Sequence, residues 1–253
     1  MAAQNALPQR KTHTPLYHLG NPFFAAGLFA AWFVSLGIWA TNGTWDLAIA
    51  RWFFDAELCG QTAREAGFCF GFPAATDPFL RFVRSTLQHA PKWIGVGLLS
   101  WVIADWIVGF RLKDPSFRAR TALLATLIIW PLIIVNGILK AYWGRPRPWQ
   151  TEDFGGPFPF VEAGTITDYC ASNCSFVSGE ASSAGWLALL FLLFPPRLRI
   201  PAAVVLSAIG LFMAGLRMAF GAHYASDVFL GFFGAIVTFA VVAAILERYH
   251  AKA

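Results

Sequence analysis

Three short stretches gather residue types that can hold and transfer an anion. KAYWGRPRP places Lys140, Arg145 and Arg147 within eight residues, and its two prolines fix the backbone and so the direction in which Arg147 points. Snorkelling at a helix end would account for any one of these cations, but less well for the rigid Arg-Pro-Arg-Pro. SFVSGEASSAG sets Ser178 and Gly179 where the first turn of a helix exposes unpaired N–H groups and the positive end of its dipole, an anion site by geometry. Alone, it would read better as a Ser-Gly helix start with small residues for packing. RMAFGAHYASD carries Arg217, His223 and Asp227. On one helix face a carboxylate four residues from an imidazole can reach it, fix its tautomer and support the charge it acquires. A lone interfacial histidine is usually structural; clustering with Arg217 and other ionisable groups near a membrane favours function.

These clusters lie at the ends of long apolar runs. The chain has 253 residues, 57% hydrophobic and only 13% charged, where soluble chains carry about a quarter charged. Six runs approach the ~20 helical residues that cross a hydrocarbon core, at 22–40, 92–111, 119–140, 179–195, 199–220 and 227–246. Each should be a helix, since lipid offers the backbone no other partner. The expected fold class is therefore all-α, a polytopic bundle of six transmembrane helices forming a single membrane domain over 1–253. It has a cytoplasmic tail at 1–21, an outer segment at 41–91 and core helices at 119–246. The first span ends in Ala-Thr-Asn-Gly without a small-x-small cleavage site and reads as a retained anchor. The formal charge of +5 sits beside apolar segments rather than in a basic, aromatic-interleaved patch, so topology explains it better than nucleic acid does.

Short-loop charge sets the orientation. Arg111, Lys113, Arg118 and Arg120 crowd the link between spans two and three, and Arg197 and Arg199 flank the link between four and five, which assigns both links and both termini to the cytoplasm. The three anion-seeking clusters then share the far side. All four cysteines fall there too: Cys59 and Cys69 in one outer segment, Cys170 and Cys174 in the other. Free buried thiols are the plain reading, while pairing within each segment suits an oxidising compartment. Trp45 to Asp55 alternates apolar and charged residues at helical spacing and reads as an ordinary interfacial helix without a part in the chemistry.

At these motifs the sequence resembles the type 2 phosphatidic acid phosphatase (PAP2) family, whose active site is shared with vanadium-dependent haloperoxidases. The first family pattern, Lys, six residues, Arg-Pro, is met by Lys140, Arg147 and Pro148; the third, Arg, five residues, His, three residues, Asp, by Arg217, His223 and Asp227. The second, Pro-Ser-Gly-His, is met only at Ser178 and Gly179, because Val177 and Glu180 stand at its outer positions. The resemblance implies a haloperoxidase-like core, with His223 as the nucleophile that forms a phosphohistidine and Asp227 as its orienting partner. Lys140, Arg147, Ser178, Gly179 and Arg217 would form a phosphate cradle needing neither metal nor other cofactor.

Glu180 departs from the family, which has a histidine there to protonate the leaving oxygen. Three roles stay open for it: a general acid, a contact to substrate, or the mark of a leaving group that needs little protonation or of lost hydrolysis. The implied activity is metal-independent hydrolysis of a lipid phosphate or diphosphate. The candidate lipids are lipid A, undecaprenyl diphosphate, phosphatidylglycerol phosphate and phosphatidic acid, met at the periplasmic face of a bacterial inner membrane. The loop from Trp149 to Asp168 leads toward the site and is the expected shaper of headgroup choice. Phosphotransfer to a second lipid or sugar is the alternative within enzymes. A transporter ranks low, since the charges gather at one face. No obligate protein partner is implied.

Overall fold

A computed structural model of the chain describes residues 19–61, 69 and 71–252; the expected N-terminal tail falls outside them up to residue 18. Helix α1 (Pro22–Thr41) starts at Asn21, whose side chain accepts from the Phe23 N–H at 2.9 Å, with Pro22 at the first helical position. After it come α2 (Gly43–Arg51), α3 (Ala56–Gln61), α4 (Pro73–Thr76) and α5 (Pro78–Leu87). Next is α6 (Ala90–Ile107), followed by α7 (Pro115–Leu127). The bundle closes with α8 (Gly179–Leu189), α9 (Arg199–Ala219) and α10 (Ala225–Lys252).

Helix α7 does not stop at Leu127. It loosens into a π-helix, Ile128–Leu139, that contains Pro131, and tightens again at Lys140–Tyr142. Proline has no N–H to give and crowds the preceding turn, a recognised cause of such widening. The side chain of Asn136 donates to the Pro131 carbonyl at 2.5 Å, satisfying one backbone acceptor in the widened ladder. Lys140 emerges from the end of this segment.

Four helical stretches among the described residues are long and apolar enough to cross a membrane: Pro22–Thr41, Pro115–Tyr142, Pro196–Ala219 and Ala225–Tyr249. The shorter apolar Gly179–Leu193 and the 18-residue α6, which carries Lys92 and Asp105, correspond to the other two expected spans. Lipid gives helices no hydrophobic reason to associate, so close approach and hydrogen bonds must hold them. Tryptophan N–H groups cross between helices: Trp130 to the Gly231 carbonyl at 2.8 Å, Trp32 to Leu230 at 3.0 Å and Trp186 to Leu123 at 2.8 Å. At the end expected to face the cytoplasm, Arg118 pairs with Glu247 at 2.7 Å and Arg120 with Asp105 at 2.5 Å. Two of the charges read as topology signals thus also tie helices together.

Helix α8 lies at the centre, against both α9 and α10. Small residues permit that contact. A methyl group added at Gly185 would stand 2.3 Å from the Phe232 carbonyl oxygen, and one at Gly210 would stand 2.8 Å from that of Ala184. Gly185→Ala must therefore push α8 off α10 and should cost about 1–3 kcal/mol, as overpacking does, visible as a lower melting midpoint in detergent. Gly97→Ala, where the added methyl meets open space, should be neutral or gain about 0.5–1 kcal/mol from helix propensity. Equal midpoints for the two variants would contradict this packing.

Candidate active site

The two arginines of Arg-Pro-Arg-Pro turn opposite ways. Arg145 is 0% exposed, and every arm of its guanidinium is taken: Nε donates to the Val161 carbonyl at 2.8 Å, one terminal nitrogen to Asp227 at 2.7 Å and Ser226 at 2.9 Å, and the other to Asp46 at 2.8 Å. Its plane lies 4.6 Å from the centre of the Tyr224 ring. Burial opposes the charge on Arg145, yet the carboxylates of Asp227 and Asp46 outweigh it and hold the group above the ordinary arginine value. Asp46 also accepts from the Ser226 N–H at 2.8 Å and the Ser226 hydroxyl at 2.5 Å. The Trp45–Asp55 helix is thereby tied to Arg145 and to the start of α10. Trp45 and Trp52 do face outward, but Asp46 on the opposite side of α2 is fully buried against the centre.

His223 occupies the short link before α10. Its Nδ1 lies 2.8 Å from the Ser175 carbonyl oxygen and 4.0 Å from the nearer oxygen of Asp227. The direct Asp227–imidazole hydrogen bond expected from four-residue spacing is absent, for a physical reason. His223 precedes the first residue of the helix, Ala225, so the pair does not share a helical face. Asp227 instead accepts from the Ser175 hydroxyl at 2.6 Å and the Tyr224 N–H at 3.1 Å, and so fixes the residue whose carbonyl holds the ring. The Nδ1–H of a neutral imidazole is then the donor, leaving Nε2 with its lone pair. Burial, followed by the charges of Arg217, Lys140 and Arg147, pulls the His223 pKa well below 6.5, although the Ser175 hydrogen bond works in the other direction.

Of the remaining expected residues, Arg217, Lys140 and Arg147 are near enough for their charges to act on this ring. Lys140 Nζ lies 3.3 Å from the Asn173 side-chain oxygen, and Arg147 donates to that oxygen at 2.9 Å and to the Asn173 carbonyl at 2.7 Å. Two cations 33 and 26 residues from Asn173 in sequence therefore converge on one pair of oxygens, the kind of partner a phosphate would supply. Asn173 adopts φ 51°, a left-handed conformation that asparagine tolerates better than most residues, and it lies between Cys170 and Cys174, which are bonded to each other. Cys59 and Cys69 form a second bond.

Ser178 caps α8 by accepting from the Ala181 N–H at 3.3 Å, and its own N–H donates to the Asp227 carbonyl at 3.0 Å. The Ser178 N–H is thus spent on the protein, and the next ones in the turn, at Gly179 and Glu180, are left for an anion. A methyl group at Gly179 would lie 2.7 Å from the Asn136 side chain. Glu180 accepts from Arg84 of α5 at 2.6 Å and stands 3.4 Å from Arg217. A cleft of about 310 Å³ lies beside Lys140, Gly179 and Glu180, lined also by Gln88, His89, Pro91, Asn136, Ser183 and Met213; His223, Arg147 and Arg217 are not in its lining.

Asp46, Arg84, Asn173 and Ser175 escape a reading of the sequence. Asp46 has the signature of a single acid within the apolar Trp-Asp-Leu, and Arg84 that of a cation on an amphipathic turn; neither says which partner it meets.

Comparison with known proteins gives the family. The profile of the PAP2 superfamily matches residues 119–250. A lipid A 4'-phosphatase of Rhizobium leguminosarum is 38% identical over 231 residues, covering 89% of this chain and 97% of the relative. The protein of the same name from Rhizobium etli is 37% identical, covering 89% of this chain and 88% of that relative. A further lipid A 4'-phosphatase, from Francisella tularensis subsp. novicida, is 31% identical, over 70% of this chain and 80% of the relative. No solved structure matches. A cradle of cations around a buried histidine, the family profile and relatives matched over most of their length lead to one conclusion: the chain belongs to the PAP2 superfamily and is a multi-pass membrane phosphatase.

Proposed function

We propose that this chain removes a phosphate from lipid A through a phosphohistidine on His223, at the periplasmic face of a bacterial inner membrane that six helices cross. The observation that carries the reading is a buried imidazole with its Nδ1 anchored on the Ser175 carbonyl, near which Lys140, Arg147 and Arg217 supply positive charge. Positioning and electrostatics dominate phosphoryl transfer, and such a constellation supplies both. Nε2 attacks phosphorus, the bond to the lipid oxygen breaks, and that oxygen takes a proton. Water then cleaves the N–P bond, releasing phosphate and restoring the neutral ring. Asp227 acts through Ser175, steadying the carbonyl that stabilises the ring while it is positive.

Support for lipid A comes from three relatives named as lipid A 4'-phosphatases and from the extent of the match. Support for the periplasmic face comes from the paired cysteines on the same side as the site and from Arg111, Lys113, Arg197 and Arg199 in the opposite loops.

Glu180 is assigned here to fixing Arg217 and Arg84, with which it is paired, rather than to donating a proton. A carboxyl oxygen accepting from a guanidinium at 2.6 Å has the geometry of a charge-assisted acceptor. The leaving oxygen can draw its proton from the phosphate monoester itself, whose second pKa is ~6.

Phosphate release by the detergent-purified chain from a panel of lipid A, undecaprenyl diphosphate, phosphatidylglycerol phosphate and phosphatidic acid tests the reading. Lipid A should be preferred, and His223→Ala should abolish release. Release that survives His223→Ala would overturn the mechanism. In the same assay Glu180→Gln should retain activity to within about tenfold. A general acid would cost ~10²–10⁴-fold, and a loss of that size would restore the acid role.

The tautomer can be read directly by 15N NMR in phosphate-free detergent solution, with the His223 signals identified by their loss in His223→Ala. Because its pKa is lowered, the ring should stay neutral, with the proton on Nδ1, as the pH falls through 6.5, and should take a second proton only well below that value. A protonation midpoint at or above 6.5 would contradict this environment.

A further inference from the structure

Arg84 belongs to two places at once. One terminal nitrogen is spent on Glu180 in the catalytic cleft, while the same side chain lines a second, larger cavity of about 760 Å³. Thr76, Arg81, Phe82, Ser85 and Phe220 also line it. The cavity is an open groove along α5, an amphipathic helix capped by Asp77, which accepts from the Leu80 N–H at 2.7 Å, and Phe82 on its rim is exposed, as is Phe79. Arg81 makes no side-chain hydrogen bond or ion pair among the described residues. The Nε of Arg84 is buried without an acceptor. The hydroxyls of Thr76 and Ser85 already donate to backbone carbonyls at 2.9 and 2.8 Å, so the two guanidiniums are the donors left to a ligand. Among the described residues no carboxylate lines the cavity; Arg84 is paired with Glu180 from the cleft side, so Arg81 is the guanidinium without a carboxylate partner.

Resting on the lipid-phosphatase reading above, we infer that Arg81 and Arg84 form a second anion subsite that takes a further negatively charged group on the same lipid whose phosphate is removed. Three features support it. Guanidinium forks match phosphate and carboxylate oxygens. The cavity has room for more headgroup than one phosphate. And Arg84 joins the subsite to the cleft through Glu180 and Arg217, so a group held there fixes where the scissile phosphate lies. Arginines of an interfacial helix also meet the phosphates of neighbouring membrane lipids. The shared chemistry is a lipid-borne anion, and its source is what the experiment must separate.

The test uses the full chain in nonionic detergent with two lipid A analogues, one carrying only the phosphate to be removed and one carrying a second phosphate elsewhere on the headgroup. Wild type should favour the doubly charged analogue by about tenfold in kcat/KM, mainly through KM, as a charge-assisted contact of ~1.4 kcal/mol would give. Arg81→Gln should erase most of that ratio. An absent preference in wild type, or an unchanged ratio in Arg81→Gln, would overturn the assignment. A second arm adds phosphatidylglycerol to the micelles. If Arg81→Gln slowed both analogues equally, and only with that lipid present, the arginines would serve the surrounding membrane and the proposal would again fail. Turnover of the singly charged analogue by wild type keeps the phosphatase reading intact whichever result appears.

Discussion

A charged guanidinium buried completely inside a membrane protein is tolerable only if its surroundings repay the lost hydration, which is several kcal/mol per ion even after relaxation. Arg145 meets that demand with two carboxylates, a hydroxyl and a carbonyl. The partners come from far apart: Asp46 from the outer segment, Val161 from the loop that follows Arg-Pro-Arg-Pro, Ser226 and Asp227 from the start of the last helix. Arg145 therefore joins the parts of the chain that must meet before a site exists.

Lys140, Arg147 and Arg217 approach from the ends of α7, the following loop and α9, and burial, followed by their repulsion, pulls the His223 pKa well below its ordinary value. Lys140 and Arg147 share the Asn173 side-chain oxygen, and Arg217 stands beside Glu180. The widened helical segment around Pro131 and the glycines of α8 are the structural conditions for this: one aims Lys140, the others bring the capped helix start beside Asp227.

Much of this arrangement is legible in the sequence, and what is not has a common cause. The apolar runs mark the long helices within a few residues because lipid enforces both length and composition. Lys140, Arg147, Ser178, Gly179, Arg217, His223 and Asp227 stand out by spacing, and the structure gathers them around one buried centre. Asp46, Arg84, Asn173 and Ser175 do not stand out, since each acts on a residue 48 to 180 positions away or through a loop conformation. Asp227 and His223 do come together, 4.0 Å apart, but four-residue spacing implies a direct hydrogen bond only on one helical face, and a helix that begins at Ala225 does not include His223. Glu180 likewise looks like a misplaced acid until Arg84, from a segment outside the family profile, is beside it.

In the proposed mechanism the Asp46–Arg145–Asp227 network positions His223 without touching substrate. The most direct measurement is the steady-state kinetics of Asp46→Asn, which keeps an oxygen to accept from Ser226 but removes the charge facing Arg145. With the variant shown to be folded by its detergent melting curve, kcat should fall by about tenfold or more, in line with the weakening of a buried ion pair, while KM stays near the wild-type value. A folded variant with wild-type kcat, or one that changed only KM, would contradict the account.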